Sequence, residues 1–320
     1  MSIVTVVMNR QAHLWATAPE ISRWSGHGEH LIVDWSSLEP IARGRLPSDP
    51  RIRVVRVEGE SRWQLTRAYN FAITMAKHDL ILKLDTDCWM DCHSPELSLR
   101  PNTYLRSSAA GGLNGLFMIH RSDFLQAGGF NEYLIGYGFD DKDLYQRLDR
   151  TLHCKYFPAN LFRTLEHSDG ERVAAADSGS TSQGKQRNTW PEMQAIATME
   201  KSKVMNRWLA EKLAWTQESG RTHYIEQAES SWIAVEESIP KPPALLQTQA
   251  NAIGTRTYLS LLLGLPERYL ESEIPLHDLE RIQRWHHVLK TYASLRSMAL
   301  ISLLKLALRI GRGWRRLVGG

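Results

Sequence analysis

Four short apolar runs punctuate the first ninety residues, at 3–8, 30–33, 52–57 and 80–84. Each is dense in Val, Ile and Leu without polar alternation, the pattern of a strand covered on both faces. Between the last two, Leu65, Ala68, Tyr69, Ala72, Ile73 and Ala76 recur at helical spacing, with Ser61 available as a cap. The pattern predicts an α/β, doubly wound, Rossmann-like half built on parallel strands. Ligands of such sheets bind beyond the carboxyl ends of the strands, where Asn9, Arg10, Asp34, Asp85 and Asp87 fall.

Asp85-Thr86-Asp87 follows the fourth run directly. If the strand continues, the two carboxylates point the same way and can be shared between a divalent cation and its ligand. The plain alternative is a solvated turn. Plain alternatives exist for the neighbours too: Arg10 as a surface arginine, Asp34 as a cap for the turn after it, and Arg67 and Asn70 as solvated residues at the edge of a helical stripe.

The middle of the chain carries glycine clusters. Residues 109–115 precede an apolar run at 116–119, and Gly115 lets backbone approach a ligand closely. Gly128-Gly129-Phe130 leads to Gly136-Tyr137-Gly138-Phe139-Asp140-Asp141-Lys142-Asp143-Leu144-Tyr145. Leu144 and Leu148 are four apart, so a helix begins near Asp140. Acids in a first turn suit the helix dipole, and the same placement keeps a carboxylate ready to accept a proton.

Downstream, residues 154–157 read as a strand, followed by Leu165-Glu166-His167-Ser168-Asp169-Gly170-Glu171-Arg172. The Ser-, Gly- and Gln-rich stretch 177–188 reads as a lid, and Lys201, Asn206 and Arg207 lie on a helix that closes the domain. Residues 238–243 form a proline-rich linker, and 259–263, 276–289 and 292–310 read as helical. The expected division is 1–213 for the α/β domain and 214–320 for a helical C-terminal region.

Composition adds three constraints. Hydrophobic content of 42% with 23% charged residues is that of a folded chain. Cys88, Cys92 and Cys154 make no even disulfide framework, which favours a reducing compartment; Cys88, Cys92 and His93 are at most half a metal site, and the thiols read as structural. The first residues lack the basic flank and length of a signal peptide, so the expected location is cytoplasmic. Formal charge is +4, yet 291–320 alone holds six basic residues and no acid. Basicity therefore belongs to the tail, and nucleic acid is not an expected partner. On a helix, Ser302, Lys305, Arg309, Arg312 and Arg316 form one polar stripe. That predicts a helix lying on an anionic membrane surface, on the inner face of the cell membrane; packing on the body or on a second copy, giving an oligomer, is the alternative.

The residues also carry a family resemblance. Val7-Met8-Asn9-Arg10-Gln11-Ala12-His13-Leu14, Arg67-Ala68 and the Gly-Gly-Phe to Asp-Leu-Tyr run resemble segments of the beta-1,4-galactosyltransferase catalytic domain, in order, over roughly residues 1–210. Related segments occur in bacterial family 2 glycosyltransferases and chondroitin polymerases. The resemblance implies a GT-A fold and an inverting hexosyltransferase moving a hexose or N-acetylhexosamine from a UDP-sugar to a carbohydrate or glycolipid acceptor, in surface polysaccharide or glycan synthesis. It implies nucleotide contacts from Asn9, Arg10, Asp34, Arg67, Asp85 and Arg172. It implies a Mn2+ or Mg2+ site at the Asp-x-Asp motif from Asp87 and His167, sugar contacts from Gly115, Tyr137 and Asp140, and Asp141 as catalytic base. Tyr137 stands where the family has tryptophan and Phe139 where it has glycine. Two other readings remain open at this level: a retaining transferase, and a non-catalytic sugar-nucleotide or glycan-binding module of a polysaccharide assembly.

Overall fold

The structure is a computed structural model that describes residues 1–108, 113, 115–158, 160–165 and 190–263. His167, Arg172, the stretch 177–188, the predicted helices 276–289 and 292–310 and the basic tail lie outside the described residues. The chain divides into two compact units, Met1–Ser182 with Leu209–Pro242, and Gln183–Trp208 with Pro243–Gly320.

In the first unit, β1 (Ser2–Val7), β2 (Glu29–Trp35), β3 (Ile52–Glu58) and β4 (Leu80–Lys83) are the four apolar runs. They pair in parallel in the order β3-β2-β1-β4. Helix α1 (Gln11–Arg23) and α2 (Leu65–Met75) connect them. α2 buries Ala68, Tyr69, Ala72 and Ile73, as its spacing predicts, but its cap is Gln64 and no side chain bonds there, so Ser61 is not the cap.

Strand β5 (Cys88–Met90) leaves this sheet for a small two-stranded one. Then β6 (Thr103–Arg106), β7 (Phe117–His120), α3 (Arg121–Gln126), α4 (Asp140–Leu148), β8 (His153–Tyr156) and β9 (Phe162–Thr164) follow. β7 runs antiparallel to β4 and to β6, while β8 is parallel to β6. The sheet thus stops being parallel beside β4, where the acidic motif ends. Val4, Ile81, Phe117, Tyr104 and Tyr145 pack in one apolar layer with α2 and α4 residues. Ile3, Leu82, Leu84 and Met118 pack in another.

One boundary changes. After helix α5 (Trp190–Lys212), residues 214–242 hold no α-helix: β10 (Tyr224–Ala228) and β11 (Ser231–Ala234) form a hairpin, and β11 joins β3 in parallel. Among the described residues the resulting sheet has nine strands, ordered β10-β11-β3-β2-β1-β4-β7-β6-β8. Trp232 and Tyr224 pack on Phe71 of α2, which accounts for the aromatics of that stretch. The linker expected at 238–243 coincides with the junction of the two units. Helix α6 (Ala244–Leu263) lies beyond it.

Candidate active site

The acidic motif sits at the end of β4, but the strand stops at Lys83. Leu84 still donates its N–H to the Val4 carbonyl, and then Cys88 N–H closes a turn on the Asp85 carbonyl. Asp85 and Asp87 are therefore turn residues, and strand alternation does not set their directions. The turn is anchored elsewhere: the Thr86 carbonyl accepts from Thr17 Oγ1 at 2.9 Å, and the Asp87 carbonyl from the Leu165 amide at 2.8 Å. The buried Cys88 thiol donates to Asp87 Oδ1, and burial pushes its pKa up, so it is a structural thiol. Cys92 is exposed, and its sulfur lies with groups of Asp91 and His93 within 4.8 Å of one another.

Lys83, one residue before Leu84, is the site residue that sequence reading missed. It is fully buried, and its Nζ donates to Asp85 Oδ1 at 2.9 Å and to the Gly115 carbonyl at 2.8 Å. It also stands over the Tyr69 ring at 4.3 Å. Tyr69 OH donates to the same Asp85 oxygen at 3.0 Å. The signal was present: a lysine between Leu82 and Leu84 in a strand buried on both faces must find a carboxylate.

Gly115 is where the groups converge. A Cβ there would lie 3.0 Å from Lys83 Nζ and 3.3 Å from both Asp141 Oδ2 and Asp85 Oδ2. Asp85 and Asp141, 56 positions apart in sequence, thus face one gap that only a glycine leaves open. Asp141 Oδ1 is buried with no hydrogen-bond partner. An orphaned buried carboxylate oxygen is costly and points to a ligand-facing role. Burial, then the neighbouring Asp140 carboxylate, hold the Asp141 pKa well above the ordinary value, against the pull of Lys83. Asp140, itself buried, is also raised by burial, with Lys83 opposing.

Helix α4 is aimed at this gap by a strained loop. Gly136 and Gly138 have φ of 79° and 88°, and Phe139, its N-cap, has φ of 72°. Glycine adopts that region freely, whereas a phenylalanine there stores strain held by its surroundings. The holding contacts are visible: Arg147 pairs with Asp143 at 2.7 Å and donates to the carbonyls of Ala127 and Gly129. Gly129, at φ 69°, leaves room for Asn70, whose side chain bonds Phe130 and Glu132. Glu132 in turn accepts from Thr222. Asn70 is thus a buried bracket between α2 and the glycine loop, not a solvated stripe edge.

The remaining expected residues lie at the β1 and β2 ends. Asn9, with φ 55°, accepts from the Leu38 amide and donates its own N–H to Ser37 Oγ. Arg10 stands at the N-cap of α1. The protein engages both Asp34 oxygens, through the amides of Ser37 and Ile41 and through Arg56. Arg67 pairs with Glu60. Tyr137 is 37% exposed on the loop before α4. The structure brings Asp85, Gly115, Asp140 and Asp141 to one place with Lys83. Asn9 and Asp34 belong to a second group on the other side of β4.

Comparison with family models matches residues 98–167 to the N-terminal domain of galactosyltransferase. That stretch is similar to a galactosyltransferase-family segment. It runs from before β6 to just past β9 and contains Gly115, Asp140 and Asp141, so the resemblance read from the sequence holds over its centre. No curated protein sequence matches the chain. Among solved structures, the catalytic domain of Drosophila beta1,4-galactosyltransferase 7 in complex with xylobiose is similar at 13% identity and a TM-score of 0.43, over 74% of this chain and 96% of that one. Mannosyltransferase PcManGT from Pyrobaculum calidifontis, in complex with GDP-Man and Mn2+, is similar at 12% identity and a TM-score of 0.45, over 98% of this chain and 82% of that one.

Proposed function

We propose that the chain is an inverting, metal-dependent glycosyltransferase that moves a hexose or N-acetylhexosamine from a UDP-sugar to a carbohydrate hydroxyl. The observation that carries this reading is the gap at Gly115, which an orphaned, proton-hungry Asp141 and the acid at the end of β4 share. Asp141, whose Oδ2 faces the gap, takes the proton of the acceptor hydroxyl as that hydroxyl oxygen attacks the anomeric carbon. The bond from that carbon to the diphosphate oxygen breaks on the opposite side, and UDP leaves. Lys83 holds Asp85 by its Oδ1 and leaves Oδ2 towards the gap, where a donor hydroxyl can bond it.

A carboxylate-rich turn suits a hard divalent cation such as Mn2+ or Mg2+. Asp87, with His167 from the segment that follows Leu165, would hold it; when bound, the ion neutralises the departing diphosphate. Asn9, Arg10, Asp34 and Arg67 would line the nucleotide side, with Arg172 near the diphosphate, and Tyr137 would meet the sugar. The work belongs to surface polysaccharide or glycan synthesis, with the basic tail holding the enzyme on an anionic membrane surface.

The test is UDP release from a panel of UDP-galactose, UDP-N-acetylgalactosamine, UDP-N-acetylglucosamine and GDP-mannose with Mn2+. Release is expected with at least one UDP-sugar, abolished by EDTA and reduced at least about 100-fold by Asp87→Ala. Full release in EDTA, or from no donor at all, would remove this reading.

A further inference from the structure

Register places a second cation beyond the gap. Lys83 pairs with Phe117, Phe117 with Arg106, and Arg106 with Tyr156, so all four side chains stand on one face of the sheet. The row is four strands wide at about 4.8 Å per step, which sets Arg106 about 10 Å from Lys83. The Arg106 guanidinium carbon lies 4.8 Å from the centre of the Tyr145 ring and 5.6 Å from that of Tyr156. Tyr145 is four residues after Asp141 on α4, on the same helical face, and its ring is fixed by Tyr104 and Phe117. Tyr104 is itself held by Asp149.

Among the described residues, no carboxylate lies within ion-pair distance of Arg106. Arginines 53, 56, 67 and 147 of the same unit each have one. The guanidinium rests on two aromatic rings and reaches the Tyr156 hydroxyl, and its remaining N–H donors are left for a planar oxyanion. Beside it, Tyr156 on the edge strand β8 is 58% exposed and offers a ring face on which the C–H face of a pyranose can stack. Position decides which substrate this is. Asn9, Arg10 and Asp34 lie at the ends of β1 and β2, on one side of β4; Arg106 and Tyr156 lie on β6 and β8, on the other. Asp141 stands between the two.

We infer that Arg106 and Tyr156 form an acceptor subsite for a sugar carrying a carboxylate, that is, a uronic-acid-bearing glycan. The carboxylate takes the guanidinium edge, the ring stacks on Tyr156, and a hydroxyl of the same glycan reaches Asp141. This rests on the transferase reading above for its meaning, but its binding test does not.

Saturation-transfer NMR on the full chain reads it, with methyl β-glucuronide and methyl β-glucoside as probes. The glucuronide is expected to bind about tenfold more tightly, a difference that R106Q removes and R106K keeps only in part. Tyr156→Ala is expected to weaken both glycosides. Equal binding of the two probes, or an undiminished preference in both Arg106 variants, overturns the subsite. Adding UDP with Mn2+ separates the two anion sources: the glucuronide signal should persist, and its displacement would assign Arg106 to the donor diphosphate and overturn the inference. Absence of UDP release from every donor in the wild-type chain would sink the transferase reading and leave the glycoside comparison intact.

Discussion

Asp141 is the residue on which chemistry and stability pull apart. Its folded-state pKa is raised, so the native chain holds this proton more tightly than the unfolded one. The sign follows: the protonated carboxyl favours folding at low pH, and that advantage is lost as pH climbs from the ordinary carboxylate value through the raised one. At neutral pH an ionised Asp141 costs stability. Asp141→Asn, which keeps shape and loses basicity, is therefore expected to stabilise the fold by about 1 kcal/mol while lowering kcat at least about 100-fold with little change in UDP affinity. Thermal melts at pH 7.5 with and without UDP and Mn2+, alongside turnover, check both halves. Unchanged kcat would move the base to Asp140. Wild-type kcat is expected to rise with pH across the raised ionisation, because only the carboxylate can accept the acceptor proton.

At the scale of elements, β1 to β4, α2 and α4 were legible because each buries a continuous or 3.6-periodic apolar set, and the strand ends then located the acids. Two things were not. Lys83 reads as a polar interruption until the strands paired on both sides, parallel β1 and antiparallel β7, show that it cannot reach water. The β10–β11 hairpin carries Glu226, Gln227 and Glu229 on an exposed sheet edge, so its short apolar alternation is diluted by the charges that edge strands carry. A prediction belongs to β2. His30 is fully buried against Thr5 of β1, and burial lowers its pKa to about 3; His27, stacked on Trp24, is lowered to about 4 by burial and by Arg51. Both imidazoles fold neutral, so stability is complete above the ordinary value of 6.5 and is lost as pH falls from there towards 4 and 3. Each should cost about 2 kcal/mol at pH 5. Urea melts at pH 7.5 and 5.0 measure this, and His30→Gln, which bonds Thr5 without titrating, should recover roughly half of the loss. A midpoint equal at both pH values would contradict it.

For the whole molecule, the open matter is what the basic tail touches. The described residues contain no helix long and apolar enough to cross a membrane. The tail's own sequence puts Arg309, Arg312, Arg315 and Arg316 around Trp314 with no acid among them. Subtracting the tail's six positive charges from the chain's +4 leaves the other 290 residues at −2, so the remainder gives no general attraction to anionic lipid. Each basic residue near such a surface contributes about 1 kcal/mol, and that contribution is screened by salt. Co-sedimentation with phosphatidylserine-containing vesicles should therefore retain the full chain at low salt and release it at about 0.5 M, where the Debye length falls below about 5 Å. Changing Arg309, Arg312 and Arg316 together to Glu should abolish retention while UDP release in solution persists. If vesicles leave the wild-type chain in the supernatant and it elutes as an oligomer that the triple substitution breaks, the stripe joins copies of the chain instead. The membrane matters for the proposed reaction because a glycolipid acceptor would lie in that surface. Vesicles carrying such an acceptor should raise the turnover of the wild-type chain and leave that of the triple variant unchanged.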